Sequence, residues 1–308
     1  MQVATIATDG RPVAVVVLND GTFLDIAKSA SAVPGASGAA LQTGSLQVLI
    51  EGGPEAFAAL QQVVQEAEAG GYPGARYPAG TPLMAPLPSP LKNVFCVGRN
   101  YAEHIAEGEK AQNIKVGITD HPVYFTKPPT SIVAPDGDVL IFPNLSEAVD
   151  YEVELAVVIG KAGRDIQKEN AYDHVFGYTI LNDITARDIQ RRHGGQYFKG
   201  KGLDGSCPIG PWIVTADTIK DPQNLGISLS VNGETRQNGR TSDMIFDIPT
   251  LIASLSEGLT LEPGDILATG TPSGVGYAMN PPQFLKAGDT VVCTIAEIGQ
   301  LKNTVRTA

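Results

Sequence analysis

The stretch Asp150-Tyr151-Glu152-Val153-Glu154-Leu155-Ala156-Val157-Val158-Ile159 decides the fold. Successive side chains of a strand point to opposite faces. Tyr151, Val153, Leu155, Val157 and Ile159 therefore share one face. Glu152 and Glu154 lie together on the other, about 7 Å apart at a rise of ~3.3 Å per residue. That second face continues into Ala156 and Val158, so the strand is expected to be buried on both sides. Two adjacent carboxylates in such a place repel each other, and each is costly to desolvate alone. A raised pKa, an Arg or Lys partner, or a bound cation resolves the conflict. The plain alternative is a half-exposed edge strand with both glutamates in water.

A second apolar strand, Phe176 to Leu181, ends in Asn182-Asp183 and leads into the helix-like Ile184 to Gln190. Asp183 is read either as the cap of that helix or as a third oxygen ligand. Three carboxylate oxygens, with waters and substrate oxygens, suit octahedral Mg2+ or Mn2+. In Gly98-Arg99-Asn100-Tyr101-Ala102-Glu103-His104-Ile105-Ala106-Glu107, His104 and Glu107 are neighbours on one helix face. A carboxylate beside an imidazole fixes its tautomer and raises its basicity, as a general base requires. A surface pair of no chemical consequence has the same spacing. Lys199 and Lys201 stand among glycines, either in a solvated loop or where an ammonium approaches an anion. Thr269-Gly270-Thr271-Pro272-Ser273-Gly274-Val275-Gly276 offers N–H groups and the Thr271 hydroxyl to an oxyanion. It matches neither G-x-G-x-x-G nor a P-loop. The sequence has no G-x-S-x-G, H-E-x-x-H or paired C-x-x-C. His121, His174 and His193 read as structural or surface residues.

The other elements follow from turn signals and periodicity. Residues 1–50 read as short strands with turns, with Val13 to Leu18 before Asn19-Asp20-Gly21. Pro54 to Ala69 reads as a helix stopped by Gly70-Gly71. Six prolines between Tyr72 and Pro90 mark an extended linker. The expected organisation is a small N-terminal α/β domain over residues 1–71, a linker over 72–90 and a catalytic domain over 91–308. Asn93 to Val97 reads as a strand, with a short helix after Asn100 and a loop over 108–121 that orders on ligand binding. Ile227 to Val231 runs into the hairpin signal Asn232-Gly233, and Asp247 to Leu255 reads as a helix.

The chain has 308 residues, 43% of them hydrophobic, and a net charge of −11. A core is affordable by composition, and the acidity is spread over both parts. Nucleic acid and anionic membranes are poor partners for such a surface. No apolar run approaches a membrane span. Three scattered cysteines, Cys96, Cys207 and Cys293, fit buried thiols in a reducing compartment, so cytoplasm is expected. No secretory signal is read at the start.

Taken together, these segments resemble the fumarylacetoacetate hydrolase family. The matching stretches are Val97 to Tyr101, Lys127-Pro128, Asp150 to Ala156, Asn182-Asp183 with Ala186 to Gln190, and Gly200-Lys201. Asn232-Gly233, Thr241 to Phe246, Leu261 to Asp265 and Thr269 to Pro272 continue the series in order. The resemblance implies an α+β fold built on a rolled, mixed β-sheet sandwich, and a homodimer. It implies Glu152, Glu154 and Asp183 as ligands of Mg2+ or Mn2+. It implies His104 and Glu107 as the acid/base pair and Lys201 beside the substrate. Arg99, Gln190, Thr271 and Gly270 would hold the substrate's carboxylate or oxyanion. Gly202-Leu203 departs from the Ser-Phe that many members carry. The implied activity is a hydrolase acting on carbon–carbon bonds of 2,4-dioxo acids, acylpyruvates or diketo sugar acids, giving pyruvate and a carboxylic acid. Oxaloacetate decarboxylation, or isomerisation and tautomerisation on the same metal site, is the alternative. In each case the partner is a small anionic keto acid.

Overall fold

The computed structural model describes the backbone of residues 1–308 and every side chain except that of Ala32. At its centre, Val153–Ile159 pairs antiparallel with Val175–Asn182 on one side and Ile266–Ala268 on the other. All seven residues of that strand are buried, which excludes the edge-strand reading. The alternation predicts where each side chain goes. Tyr151, Val153, Leu155, Val157 and Ile159 enter one core with Ile227, Leu229, Val291, Cys293 and Leu301. Ala156 and Val158 enter a second core with Leu60, Val63 and Ile213.

The first core lies between two sheets, and the second lies between the larger sheet and a helical layer. The larger sheet has eleven strands. Ten of them run in the order Arg76–Tyr77, Phe23–Asp25, Arg11–Val17, Gln2–Thr8, Cys207–Thr215, Val175–Asn182, Val153–Ile159, Ile266–Ala268, Val94–Gly98, Val123–Lys127, and the eleventh, Ile132–Val133, pairs off this path with Cys207–Thr215. It is mixed, since Ile266–Ala268 runs parallel to Val94–Gly98. The smaller sheet has five strands, Glu234–Arg240, Gly226–Val231, Thr290–Ile295, Gly299–Thr307 and Asp138–Ile141. This is the expected α+β sandwich. Asn232 and Gly233 both take positive φ in the hairpin between Gly226–Val231 and Glu234–Arg240, as that tight turn demands.

The N-terminal part does not hang from a tether. Val3 pairs with Ile213, so its strands continue the catalytic sheet. The proline-rich stretch is extended, and it is pinned. Arg76 pairs with Leu24, the Met84 N–H donates to Thr5 O at 2.8 Å, and the Thr5 hydroxyl donates to Pro86 O at 2.7 Å.

Two readings need correction. Residues 26–51 are not strands but three helices, Ile26–Ser29, Gly35–Gln42 and Leu46–Glu51. The signals were the caps. Asp25 accepts from Lys28 N and Ser45 from Val48 N, while the Ala/Gly/Ser composition between them carries no amphipathic stripe. The helix after Asn100 also outruns its expected end. It spans Ala102–Gln112, and Asn113 closes it in the left-handed conformation. Only the residues beyond 113 form the loop.

Candidate metal centre and active site

Strand pairing assembles the acidic cluster. Val153 lies opposite Asn182 and Glu154 opposite Leu181, so extending the register by one residue sets Asp183 across from Glu152. The Asp183 N–H donates to Glu152 O at 2.8 Å, and the Glu152 N–H to Asn182 Oδ1 at 3.0 Å. Oxygens of Glu152, Glu154 and Asp183 all lie within 4.8 Å of one another, and all three residues are buried. Asp183 does not cap a helix. The helix that follows is Arg187–Arg192, with Ala186 at its N-cap position.

Buried cations surround the cluster. The Lys201 ammonium donates to Glu152 Oε2 at 2.8 Å, Asp183 Oδ2 at 2.6 Å and Thr185 Oγ1 at 2.8 Å. All three of its N–H groups are thus engaged. Lys127 donates to Asp183 Oδ1 at 2.8 Å, Ile184 O at 3.1 Å and the Lys201 carbonyl. Arg187 reaches Asp150 Oδ2 through Nε at 2.9 Å, and its Nη2 lies 2.6 Å from Glu152 Oε1. Asp150 in turn accepts from Gly276 N at 2.8 Å and Tyr277 N at 3.1 Å. Four buried carboxylates therefore face three buried cations.

The imbalance falls on Glu154. Burial pushes the Glu152 carboxyl up, but Lys201 and Arg187 outweigh it and hold Glu152 well below the usual range. Burial pushes Glu154 well above that range, and the charges of Asp183 and Glu152 add to the shift. Among the described residues Glu154 has no cation within 4 Å; the Gly270 N–H donates to its Oε2 at 2.8 Å. An all-oxygen set of three converging carboxylates, one of them lacking a counter-charge, fits a hard divalent ion such as Mg2+ or Mn2+.

A cavity of about 160 Å3 opens on this cluster. Glu152, Glu154 and Lys201 line it, with Arg99, His104, Gln190 and Thr271. The helix Ala102–Gln112 brings His104 to its wall, and His104 Nδ1 lies 2.9 Å from Glu107 Oε1. Glu107 stands behind, where its Oε2 accepts from Gly274 N at 2.8 Å. This leaves His104 Nε2 as the ring nitrogen able to exchange a proton. Arg99 holds φ +60°, a strained value for a non-glycine. The Thr271 hydroxyl donates to Val153 O and accepts from Gln237, each at 2.8 Å, so its proton is already engaged. The Gly270 N–H is committed to Glu154. Gly270 and Asp183 thus shape the site from behind its surface.

Sequence reasoning passed over Asp150, Arg187, Lys127 and Tyr277. Asp150, Arg187 and Lys127 stand inside quoted segments, yet only their burial reveals the charge balance. Tyr277, under the Arg187 guanidinium at 4.4 Å, carried no signal.

A profile described as fumarylacetoacetate (FAA) hydrolase C-terminal matches residues 93–306. The chain belongs to the fumarylacetoacetate hydrolase family. Within the family, this chain is 53% identical over 224 residues to the oxaloacetate tautomerase YisK of Bacillus subtilis, covering 72% of each chain. It is 48% identical to the mitochondrial oxaloacetate tautomerase FAHD2A of Homo sapiens, covering 72% of this chain and 69% of that one. The fumarylacetoacetate hydrolase of Exiguobacterium antarcticum superposes with a TM-score of 0.80 at 40% identity, over 100% of both chains. A maleylpyruvate hydrolase from Sphingobium sp. SYK-6, in complex with manganese(II) and pyruvate, superposes with a TM-score of 0.76 at 31% identity, again over 100% of both. The chain is therefore an enzyme of this family with a site suited to a divalent metal. No helix is long and apolar enough to cross a membrane.

Proposed function

We propose that this enzyme catalyses keto–enol tautomerisation of oxaloacetate on a Mg2+ or Mn2+ ion held by Glu152, Glu154 and Asp183. The observation that carries the reading is the identity of 53% and 48%, over most of the chain, with relatives named for that reaction. The hydrolase reading draws on relatives named hydrolases at 40% and 31%. Carbon–carbon hydrolysis, expected from the sequence, is thus the weaker of the two.

The residues suit a proton shuttle. A tautomerisation moves one proton from C3 to the oxygen on C2 and consumes no water. His104, oriented by Glu107, accepts at C3 through Nε2 and returns the proton at the oxygen. A divalent ion in the carboxylate cluster supplies Lewis-acid polarisation of the 2-keto group. Lys201 has no N–H left to give. It holds Glu152 and Asp183 in place and offsets their charge.

The test follows the approach to keto–enol equilibrium of oxaloacetate by NMR with Mg2+, beside an acetylpyruvate cleavage assay. The reading expects enzyme-dependent acceleration of the first and no cleavage in the second. His104→Ala should slow the exchange by ~100-fold or more. Cleavage of acetylpyruvate, with oxaloacetate exchange unaffected by enzyme, returns the hydrolase reading.

A further inference from the structure

Five basic side chains line the cavity: Arg99, His104, Arg187, Arg191 and Lys201. Most are engaged within the protein. Arg187 is tied to Asp150 and Glu152, Lys201 to Glu152, Asp183 and Thr185, and His104 to Glu107. Arg99 has no carboxylate within 4 Å among the described residues, and its guanidinium lies over the Tyr197 ring, 5.9 Å from its centre, on the same wall. Arg191 likewise has no carboxylate within 4 Å, and it is exposed at the mouth. An arginine facing a cavity with no internal acceptor presents its rigid fork of donors to whatever enters.

Its placement is specific. Arg187 and Arg191 stand one turn apart on the helix Arg187–Arg192, so they share a face about 6 Å apart along the axis. Both guanidiniums stack over Tyr277, at 4.4 Å and 5.8 Å from the ring centre. The Tyr277 N–H is itself anchored on Asp150. The inner arginine is buried against Glu152, and the outer one is exposed. The pair thus marks a line from the carboxylate cluster to the mouth, and the uncommitted charge is at its outer end.

We propose that Arg191 determines specificity by binding the distal carboxylate of a four-carbon 2-oxo diacid whose 2-oxo acid end lies at the acidic cluster. The assignment rests on the tautomerase reading for the orientation of the acid. Its ligand class is stated by charge: a 2-oxo acid bearing a second carboxylate, in preference to one ending in a methyl group. 2-Oxobutanoate shares the carboxylate, keto group and C3 methylene of oxaloacetate and lacks only that second charge.

The experiment measures enzyme-dependent deuterium incorporation at C3 of the two acids with the Mg2+-loaded enzyme. The readout is the ratio of their kcat/KM values. Arg191→Gln is expected to lower the preference for oxaloacetate about tenfold or more, mainly through KM. Arg191→Lys should restore part of it, and Arg99→Gln should weaken both acids alike. A ratio within about twofold of wild type in Arg191→Gln overturns the assignment, as does a collapse of the ratio in Arg99→Gln alone. If the wild-type enzyme exchanges neither acid, the tautomerase reading has failed. Calorimetric affinities of the same two acids for wild type and Arg191→Gln then decide the role of Arg191 by the same tenfold criterion.

Discussion

Glu154 is the residue on which the energetics of the site turn. Its carboxyl is pushed up by burial first and by Asp183 and Glu152 next, and the Lys201 charge and one backbone N–H oppose them. A group whose folded pKa lies above its unfolded value adds stability below the unfolded pKa. That contribution is lost as pH rises through the folded pKa. The metal-free protein should therefore lose stability as pH rises above the ordinary carboxyl range, while stabilisation by Mn2+ grows over the same interval because the ion binds the carboxylate form. Thermal melts with and without Mn2+ across pH 5–8 check this, and a metal-induced shift independent of pH speaks against it. Glu154→Gln keeps an acceptor for Gly270 and removes the charge. It should leave the metal-free melt unchanged or higher, by about 1 kcal/mol, and weaken Mn2+ binding at least tenfold. The two glutamates and their shared face were legible from period-2 alternation alone. The counter-charges were not, because Arg187, Lys127 and Lys201 come from distant segments and meet the carboxylates only through the fold.

At the level of elements, the loop after Ile266–Ala268 couples chemistry to backbone geometry. Gly270 holds φ +96°, and a Cβ there would lie 2.8 Å from the Cβ of Asn100. Asn100 cannot yield, since its side chain bonds Thr269 O, Phe246 O and Phe246 N at 2.8 to 3.0 Å. Gly270→Ala should cost about 1–3 kcal/mol of stability and displace the N–H that Glu154 uses, so that Mn2+ affinity falls together with the melting point. A variant of wild-type melting temperature and metal affinity would show the loop to be pliant. This loop was read from its Thr and Gly content as a holder of oxyanions. Its geometry turns Gly270 and the Thr271 hydroxyl inward, a choice set by three-dimensional register. Strong alternation and the Asn-Gly turn made most catalytic strands readable. The helices between Ile26 and Glu51 were missed because their caps, Asp25 and Ser45, had no periodic stripe beside them.

Across the whole molecule, one sheet runs from Arg76–Tyr77 through the catalytic strands, and one core joins Leu60 and Val63 to Ala156 and Ile213. The N-terminal part and the catalytic part should therefore unfold together. Calorimetry is expected to give a single transition, and two resolved transitions would contradict a shared core. The cavity, its bases and its cations depend on a more local matter: whether Glu152, Glu154 and Asp183 hold one ion. Anomalous diffraction from crystals of the protein soaked in Mn2+ reads this directly. The account predicts a single strong peak in contact with oxygens of all three carboxylates. No peak there, at Mn2+ concentrations that support turnover, would contradict it.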